Sequence, residues 1–177
     1  GSYPDYAIQN TFTAGKVGGN GQKGSIVGMT PSYVLSILAD SKASFKSPQK
    51  IAVDADGNSY VTDLEMNRVQ KFDSNGLYIS EFGEEGTGNG QFDRPRGIAI
   101  DGDGNIVVAD FGNHRIQKFD SNGNYLSQFG TDGVDVGQQG LPGDIDFDSS
   151  GNIYVLDFGY SFVSKYSSTG TFISSWG

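Results

Sequence analysis

The sequence contains no cysteine, and histidine, tryptophan, methionine and proline are scarce. Without cysteine the chain has no disulfide framework and no thiolate metal site. His114 is the single histidine, and zinc takes three or four nitrogen, sulfur or oxygen ligands, so no zinc site or other cofactor is predicted. No apolar run approaches the ~20 residues of a membrane-spanning helix, so no membrane span is predicted either.

Positive charge is also sparse in this chain. Lysine and arginine together number 12 against 21 acidic residues, and the net charge is -9. A nucleic-acid binder needs a basic surface that neutralises phosphates, and the few basic residues here are scattered, so no nucleic-acid partner is predicted. A composition poor in lysine and rich in Ser, Thr, Asn, Gly and Tyr favours an extracellular or cell-surface protein.

Glycine, by contrast, is abundant at 27 residues, and it belongs to a repeat. The segment Ile98–Gly130 recurs without gaps 47 residues earlier, at Ile51–Gly83, and 47 residues later, at Ile145–Gly177. A fixed period of this size indicates a solenoid, a propeller or an array. The superposed positions include Asp54, Asp101 and Asp148, then Asn58, Asn105 and Asn152, then Asp63, Asp110 and Asp157.

The central copy contains four short apolar runs, each closed by turn residues. The runs are Gly97–Asp101, Ile106–Asp110, Arg115–Asp120 and Tyr125–Phe129. Short runs of this kind predict an antiparallel meander rather than a helix. Four antiparallel strands per repeat form one blade of a β-propeller, with the two most apolar strands innermost. The predicted fold class is therefore all-β.

The segment DGNIVVADFGNHRIQKFDSNG resembles the NHL repeat, whose signature lies in the connector after the second strand. The signature reads Asn113-His114-Arg115-Ile116 in the central copy, and only this copy keeps the histidine. The other copies read Met66-Asn67-Arg68-Val69 and Tyr160-Ser161-Phe162-Val163. The resemblance implies an NHL-type β-propeller of four-stranded blades. Such repeats usually form six-bladed rings, which need a longer chain than this one.

A single propeller domain is expected over residues 1–177, with clear blades at 45–91, 92–138 and 139–177. Residues 1–44 are interpreted as a degenerate first blade, and the alternative is a linker with one or two strands. Three arrangements remain open: a closed four-bladed ring, a shortened piece of a six-bladed propeller, or open rows that join between chains.

The aspartates of the repeat are expected to have structural roles. The pattern Asp-x-Asp-Gly-Asn at Asp54–Asn58 and Asp101–Asn105 resembles the start of a calcium loop, but an EF-hand has Gly at position six and helices on both sides. A hairpin turn is therefore predicted instead. At the end of each second strand, Asp63, Asp110 and Asp157 are expected to bind their own connectors, or to pair with Arg68 and Arg115.

A candidate interaction face lies on the connectors after the second strands and on the loops between blades. Loops on a rigid scaffold are the usual place for recognition. Leu64, Phe111 and Phe158 are expected either to form an apolar ring on this face or to pack between blades. The candidate residues are Leu64, Met66, Asn67, Arg94, Arg96, Phe111, Asn113, His114, Phe158 and Tyr160.

No arrangement of catalytic residues is evident in the sequence, so the chain is expected not to be an enzyme. The first functional hypothesis is a module that binds a protein or peptide, with further copies of itself among the candidate partners. The first alternative is a self-assembling structural protein whose open blade ends form multimers or filaments. The second alternative is an enzyme resembling propeller lyases or lactonases.

Overall fold

The chain folds into three four-stranded antiparallel sheets, each built from consecutive strands. The computed structural model describes residues 43–133, 135 and 137–177. The predicted degenerate blade therefore lies outside the described residues, apart from Ala43 and Ser44. We call the three described blades the first, middle and last blade. The first blade contains β1 (Pro48–Val53), β2 (Ser59–Asp63), β3 (Arg68–Phe72) and β4 (Tyr78–Phe82), and the middle blade contains β5 (Pro95–Ile100), β6 (Ile106–Asp110), β7 (Arg115–Phe119) and β8 (Tyr125–Phe129). The last blade contains β9 (Pro142–Phe147), β10 (Ile153–Asp157), β11 (Phe162–Tyr166) and β12 (Phe172–Trp176).

The predicted strands agree closely with the observed ones, and the main difference is the start of the innermost strand. In the middle blade β5 begins at Pro95, two residues before the predicted Gly97. The pairing of Pro95 with Asp110 is separated by a register shift from the pairing of Ile98 with Val108. This bulge adds residues that strand alternation alone does not predict.

The hydrophobic core lies between blades. On β6, Val108 packs into the cluster that joins the middle blade to the first, and Val107 packs into the cluster that joins it to the last. Both side chains are fully buried. Burying one such side chain stabilises the fold by roughly 1.5–3 kcal/mol. Each sheet is therefore stable only with a neighbour on its faces, as a repeat architecture requires.

The first and last blades expose side chains at repeat positions that are buried in the middle blade. In β1, Ile51 is 57% exposed, whereas Ile98 at the same repeat position in β5 is 1% exposed. In β10, Leu156 is 40% exposed, whereas its counterpart Ala109 is fully buried. Within the described residues, the first and last blades thus each present one uncovered apolar face.

The innermost strands lie side by side, β1 next to β5 and β5 next to β9. The Lys50 ammonium on β1 donates to the Asp144 carboxylate and to the Ile145 carbonyl, both on β9. The Lys50 side chain therefore links the first blade to the last. Because β1 and β9 come this close, the three blades are arranged in a tight curve around their inner strands. No helix in the described part of the chain is long and apolar enough to span a bilayer.

Candidate interaction face

The aspartate that ends each second strand holds the loop that leads into its own blade. The Asp63 carboxylate accepts hydrogen bonds from the backbone N–H groups of Lys46 and Ser47, both at 2.9 Å. Asp110 accepts from the N–H of Asp93 at 2.8 Å. The equivalent Asp157 accepts from the backbone of the preceding loop and from its own connector. The predicted structural role is therefore seen in every blade.

Asp110 is bound by side chains as well as by backbone. Arg115 Nε donates to it at 2.8 Å, Asn113 Nδ2 at 2.9 Å and Gln117 Nε2 at 3.0 Å. Burial raises the pKa of Asp110, and hydrogen bonds from Asn113, Asp93 and Arg115 act against that increase. The expected pairing of Asp110 with Arg115 is present in the structure.

The alternative prediction, in which Asp63 pairs with Arg68, is wrong. The Arg68 guanidinium instead donates to the Glu81 carboxylate at 2.5 Å and to the Ser44 carbonyl at 2.6 Å. Backbone donors of the preceding loop occupy both oxygens of Asp63. Glu81 on β4 is paired with Gln70 in the strand register and therefore lies diagonally across from Arg68. The arginine thus has a carboxylate partner without turning towards the connector.

Each connector contains one residue in the left-handed backbone region. Asn67, His114 and Ser161 occupy the same repeat position, with φ angles of 51°, 56° and 60°. The Asn67 side-chain oxygen accepts from the backbone N–H of Arg94 at 2.7 Å, and His114 Nδ1 contacts the Gly140 carbonyl. His114 is half-buried, and these two candidate residues join one blade to the next.

Four other candidate residues meet between the middle and last blades, and we call them the Arg–Phe platform: Arg94, Arg96, Phe111 and Phe158. The Arg96 guanidinium carbon lies 4.3 Å from the ring centre of Phe111 and 5.8 Å from that of Phe158. The Arg94 guanidinium carbon lies 5.5 Å from the Phe111 ring centre. Phe111 is 8% exposed and Phe158 is 50% exposed, so the platform is anchored at one ring and open at the other.

The backbone around the platform leaves room for these rings. A Cβ atom at Gly143 would lie 2.5 Å from the Phe158 ring, so only glycine allows this ring to lie over the start of β9. The backbone N–H of Phe158 donates to the Leu141 carbonyl at 2.9 Å. Phe111 begins a short 3₁₀ turn, Phe111–Asn113, directly after β6. Both rings therefore lie on connectors with a defined backbone path.

Arg96 differs from the other arginines in the part of the chain that the structure describes. Arg68, Arg94 and Arg115 each contact a carboxylate. Arg96 has no such contact among the described residues, and its buried Nε has no hydrogen-bond partner there. Its backbone is fixed, because the Thr62 hydroxyl donates to its carbonyl at 2.6 Å. The sequence indicated Arg96 as a candidate residue. It could not indicate that Arg96 lacks a carboxylate partner among the described residues, because that depends on where carboxylates distant in sequence lie.

The remaining candidate residues do not join the platform. Leu64 is half-buried on the connector of the first blade, and Met66 beside it is 38% exposed. Asn113 donates to the Gly86 carbonyl and to Asp110, which makes it part of the blade framework. Tyr160 is 45% exposed and stacks on Phe162 with ring centres 6.4 Å apart. Of the expected apolar ring of Leu64, Phe111 and Phe158, the structure thus brings together Phe111 and Phe158, which both contact the Arg96 guanidinium.

The aspartates of the hairpin turns bind their own backbone. Asp101 accepts from the N–H groups of Asp103 and Asn105 at 3.0 and 2.9 Å. Asp54 and Asp148 have the same contacts in the other blades. Among the described residues, no group of three or more acidic or histidine side chains is placed to hold a metal ion. The hairpin-turn interpretation therefore accounts for these carboxylates.

Comparison with known proteins supports the repeat assignment. The model of the NHL repeat matches residues 45–72 and 92–119. A search of curated proteins gives no match. Solved structures with related folds include virginiamycin B lyase from Staphylococcus aureus, with 16% identity and a TM-score of 0.57 over 73% of this chain and 40% of that one.

Two further structures are similar over nearly the same share of this chain. A chain of a nidogen/laminin complex has 21% identity and a TM-score of 0.55, over 72% of this chain and 46% of that one. A gluconolactonase from Xanthomonas campestris has 17% identity and a TM-score of 0.55, over 72% and 46%. This chain spans less than half the length of each structure, and likeness at these identities shows the fold alone. The first and middle blades thus match the NHL repeat, and the fold of the described residues is of the β-propeller type.

Proposed function

We propose that this chain is a non-enzymatic interaction module that binds a protein or peptide at the Arg–Phe platform. The observation that carries the proposal is the half-exposed Phe158 beside Arg96, an arginine that has no carboxylate partner among the described residues. Aromatic residues and arginine are the residue types that contribute most to binding at protein interfaces. Its two phenylalanines also lie on connectors held by a rigid sheet scaffold, which is where recognition usually occurs.

The comparisons are compatible with more than one activity. One similar structure is a chain of a protein complex, whereas two others are named as a lyase and a gluconolactonase. A binding role is favoured because the best-defined exposed cluster consists of aromatic and guanidinium groups rather than of acids, bases and nucleophiles. We therefore propose binding rather than catalysis.

Selection from a displayed peptide library against the intact chain tests this proposal. Peptides selected on the native chain are expected to lose most of their affinity for Phe158→Ser. The matched control is Leu126→Ser, since Leu126 on β8 is 49% exposed and lies away from the platform. Failure to select any peptide, or equal binding by the two variants, would contradict the proposal.

A second candidate function is self-assembly, and the exposed end faces favour it. The residues on these faces occupy positions that are buried between blades in the middle of the row. Contacts between unlike faces of identical chains either close into a ring or continue into a filament. The mass of the 177-residue chain in solution, measured by light scattering, tests this function, and a monomer at every concentration would exclude it.

A further inference from the structure

We infer that the Arg–Phe platform recognises a peptide carboxylate, with Arg96 as the group that binds it. The inference rests on the proposed function and names the chemistry of the partner. The carboxylate is supplied by the C terminus of a peptide or by an acidic side chain, since both present the same pair of oxygens.

The charge of Arg96 is uncompensated in the part of the protein that the structure describes. The chain carries a net charge of -9, and Arg68, Arg94 and Arg115 all contact carboxylates. A half-buried guanidinium without a carboxylate or hydrogen-bond partner is costly, because buried polar groups are normally satisfied. A ligand carboxylate at the remaining N–H groups would neutralise the guanidinium charge and would fit the guanidinium fork.

Stacking on the two phenylalanines fixes the guanidinium for such a contact. The carbon of the Arg96 guanidinium is closest to Phe111, whose ring is nearly buried. Arginine stacks with its plane against an aromatic face, which leaves its N–H groups directed outwards along its edge. An arginine held in this way loses less conformational freedom when it binds a carboxylate than a free arginine does.

Phe158 indicates what lies next to the carboxylate. Half of this ring is exposed, and it is within 5.8 Å of the Arg96 guanidinium carbon. A ligand with an apolar or aromatic side chain beside its carboxylate would cover the ring and bind the guanidinium at the same time. The acidic surface as a whole opposes highly charged anions such as nucleic acids, which favours a ligand with a single carboxylate.

Three small probes separate the sources of the carboxylate. N-acetylphenylalanine has a terminal carboxylate, the dipeptide N-acetyl-Phe-Glu-amide has only a side-chain carboxylate, and N-acetylphenylalanine amide has neither. Each is titrated into the ¹⁵N-labelled intact chain, and the Nε–H resonance of Arg96 is followed by NMR. Nε is buried and has no hydrogen-bond partner among the described residues, so the carboxylate would bind the outer N–H groups, and the Nε–H of the same guanidinium would report that contact.

The expected result is saturable movement of the Arg96 resonance by one or both carboxylate probes, with binding at least about tenfold tighter than that of the amide. Arg96→Gln is expected to abolish the difference between probes. Arg68→Gln changes the net charge equally but removes an arginine already paired with Glu81, so it is expected to keep that difference. Movement by the terminal probe alone would assign the site to peptide C termini, and movement by the Glu probe alone to acidic side chains.

Equal binding of the amide and the acids would overturn the carboxylate assignment. A resonance that no carboxylate moves would overturn it as well, without the use of any variant. These outcomes are separable from failure of the proposed function. If displayed peptides bind through Phe158 but are indifferent to Arg96→Gln and to amidation, the interaction module stands and the carboxylate assignment falls.

Discussion

Asp110 and Asp120 both belong to the middle blade, yet their surroundings differ in burial and in partners. Asp110 is fully buried and accepts hydrogen bonds from the inter-blade loop, the connector and the third strand. Asp120 is half-buried at a hairpin turn and accepts only from the turn itself. Replacing each of them therefore tests a different part of the fold.

Substitution of Asp110 by Asn is expected to destabilise the chain by about 3 kcal/mol. The amide keeps the shape of the side chain but removes the charge that faces Arg115, and one of its two acceptor atoms becomes a donor. Urea denaturation followed by circular dichroism measures the loss. Asp103→Asn is the control, because Asp103 is exposed in the same blade. Similar midpoints for the two variants would contradict the role assigned to Asp110.

The hairpin aspartates predict a loss of stability in acid. A side-chain hydrogen bond from Asn124 lowers the pKa of Asp120, and one from Asn152 lowers that of Asp148. A carboxyl with a lower pKa in the folded state stabilises the fold above its unfolded pKa of about 3.9. That contribution is lost as the pH falls from about 4 through the folded pKa, so the free energy of unfolding is expected to decrease there.

A natural substitution within the repeat provides the control for this pH dependence. Ser167 occupies the position of Asp120 in the last blade, and its hydroxyl accepts from the Thr171 N–H at 3.1 Å. Asp120→Ser is therefore expected to fold normally and to have a shallower loss of stability in acid. Asp110, whose pKa burial raises, acts in the opposite direction and is unchanged by this substitution. Identical acid profiles for variant and parent would contradict the assignment.

At the scale of strands and turns, most of the fold could be predicted from sequence because the strands and turns of each blade follow from residues close together in the chain. Turn residues such as Asp120 and Gly123 separate runs of about five residues, and the observed strands coincide with those runs. The bulge after Pro95 and the pairing of Arg68 with Glu81 could not be predicted. Both depend on contacts between strands, which have no local signature.

The same limit applies to the candidate site. The connector residues Phe111 and Phe158 could be selected because the connectors differ between repeats. The sequence did not indicate that Arg96 would lie against both rings, because this depends on how closely neighbouring blades approach. It also did not indicate that Asn67 and His114 would join blades. A small residue at Gly143 was the one local signal that could have shown where a ring crosses an inner strand.

Close approach of the innermost strands leads to a prediction about Gly97 on β5. A Cβ atom there would lie 2.7 Å from the Asp144 Cα on β9, closer than real contacts allow. Gly97→Ala is therefore expected to destabilise the chain by about 1–3 kcal/mol, since backbone must move to admit the methyl group. Gly102→Ala is the control, because a Cβ at Gly102 would meet nothing within 4 Å. Equal denaturation midpoints would show that β5 and β9 are not in close contact.

At the scale of the whole molecule, the two end faces carry the residues that form an interface within the chain. The first blade presents Tyr60 and Val69 to the middle blade, where Ile98 and Val108 pack against them. The last blade has Tyr154 and Val163 at the positions of Tyr60 and Val69. The first blade has Ile51 and Val61 at those of Ile98 and Val108. The sequence left open ends as one of three arrangements, and the burial pattern shows that the two faces match in the described part of the chain.

Head-to-tail association between chains is therefore expected to reproduce the internal interface. The mass of the 177-residue chain should rise with concentration in light scattering. Leu156→Asp on the last blade should shift the chain to monomer, since a charge buried in such a contact has no partner. Ile79→Asp is the matched control. Ile79 is 48% exposed on an outer strand, and Leu126 and Ile173 are equally exposed at its position in the other blades.

The controls decide what each outcome of that experiment means. Circular dichroism must show that Leu156→Asp and Ile79→Asp are both folded, because otherwise a lower mass would reflect unfolding. Association that persists in Leu156→Asp but is lost in Ile79→Asp would place the contact on the outer strands rather than on the end faces. A parent chain that stays monomeric at every concentration would mean that the apolar face around Ile51 or Leu156 is covered within one molecule, and binding at the Arg–Phe platform would then be the function to pursue.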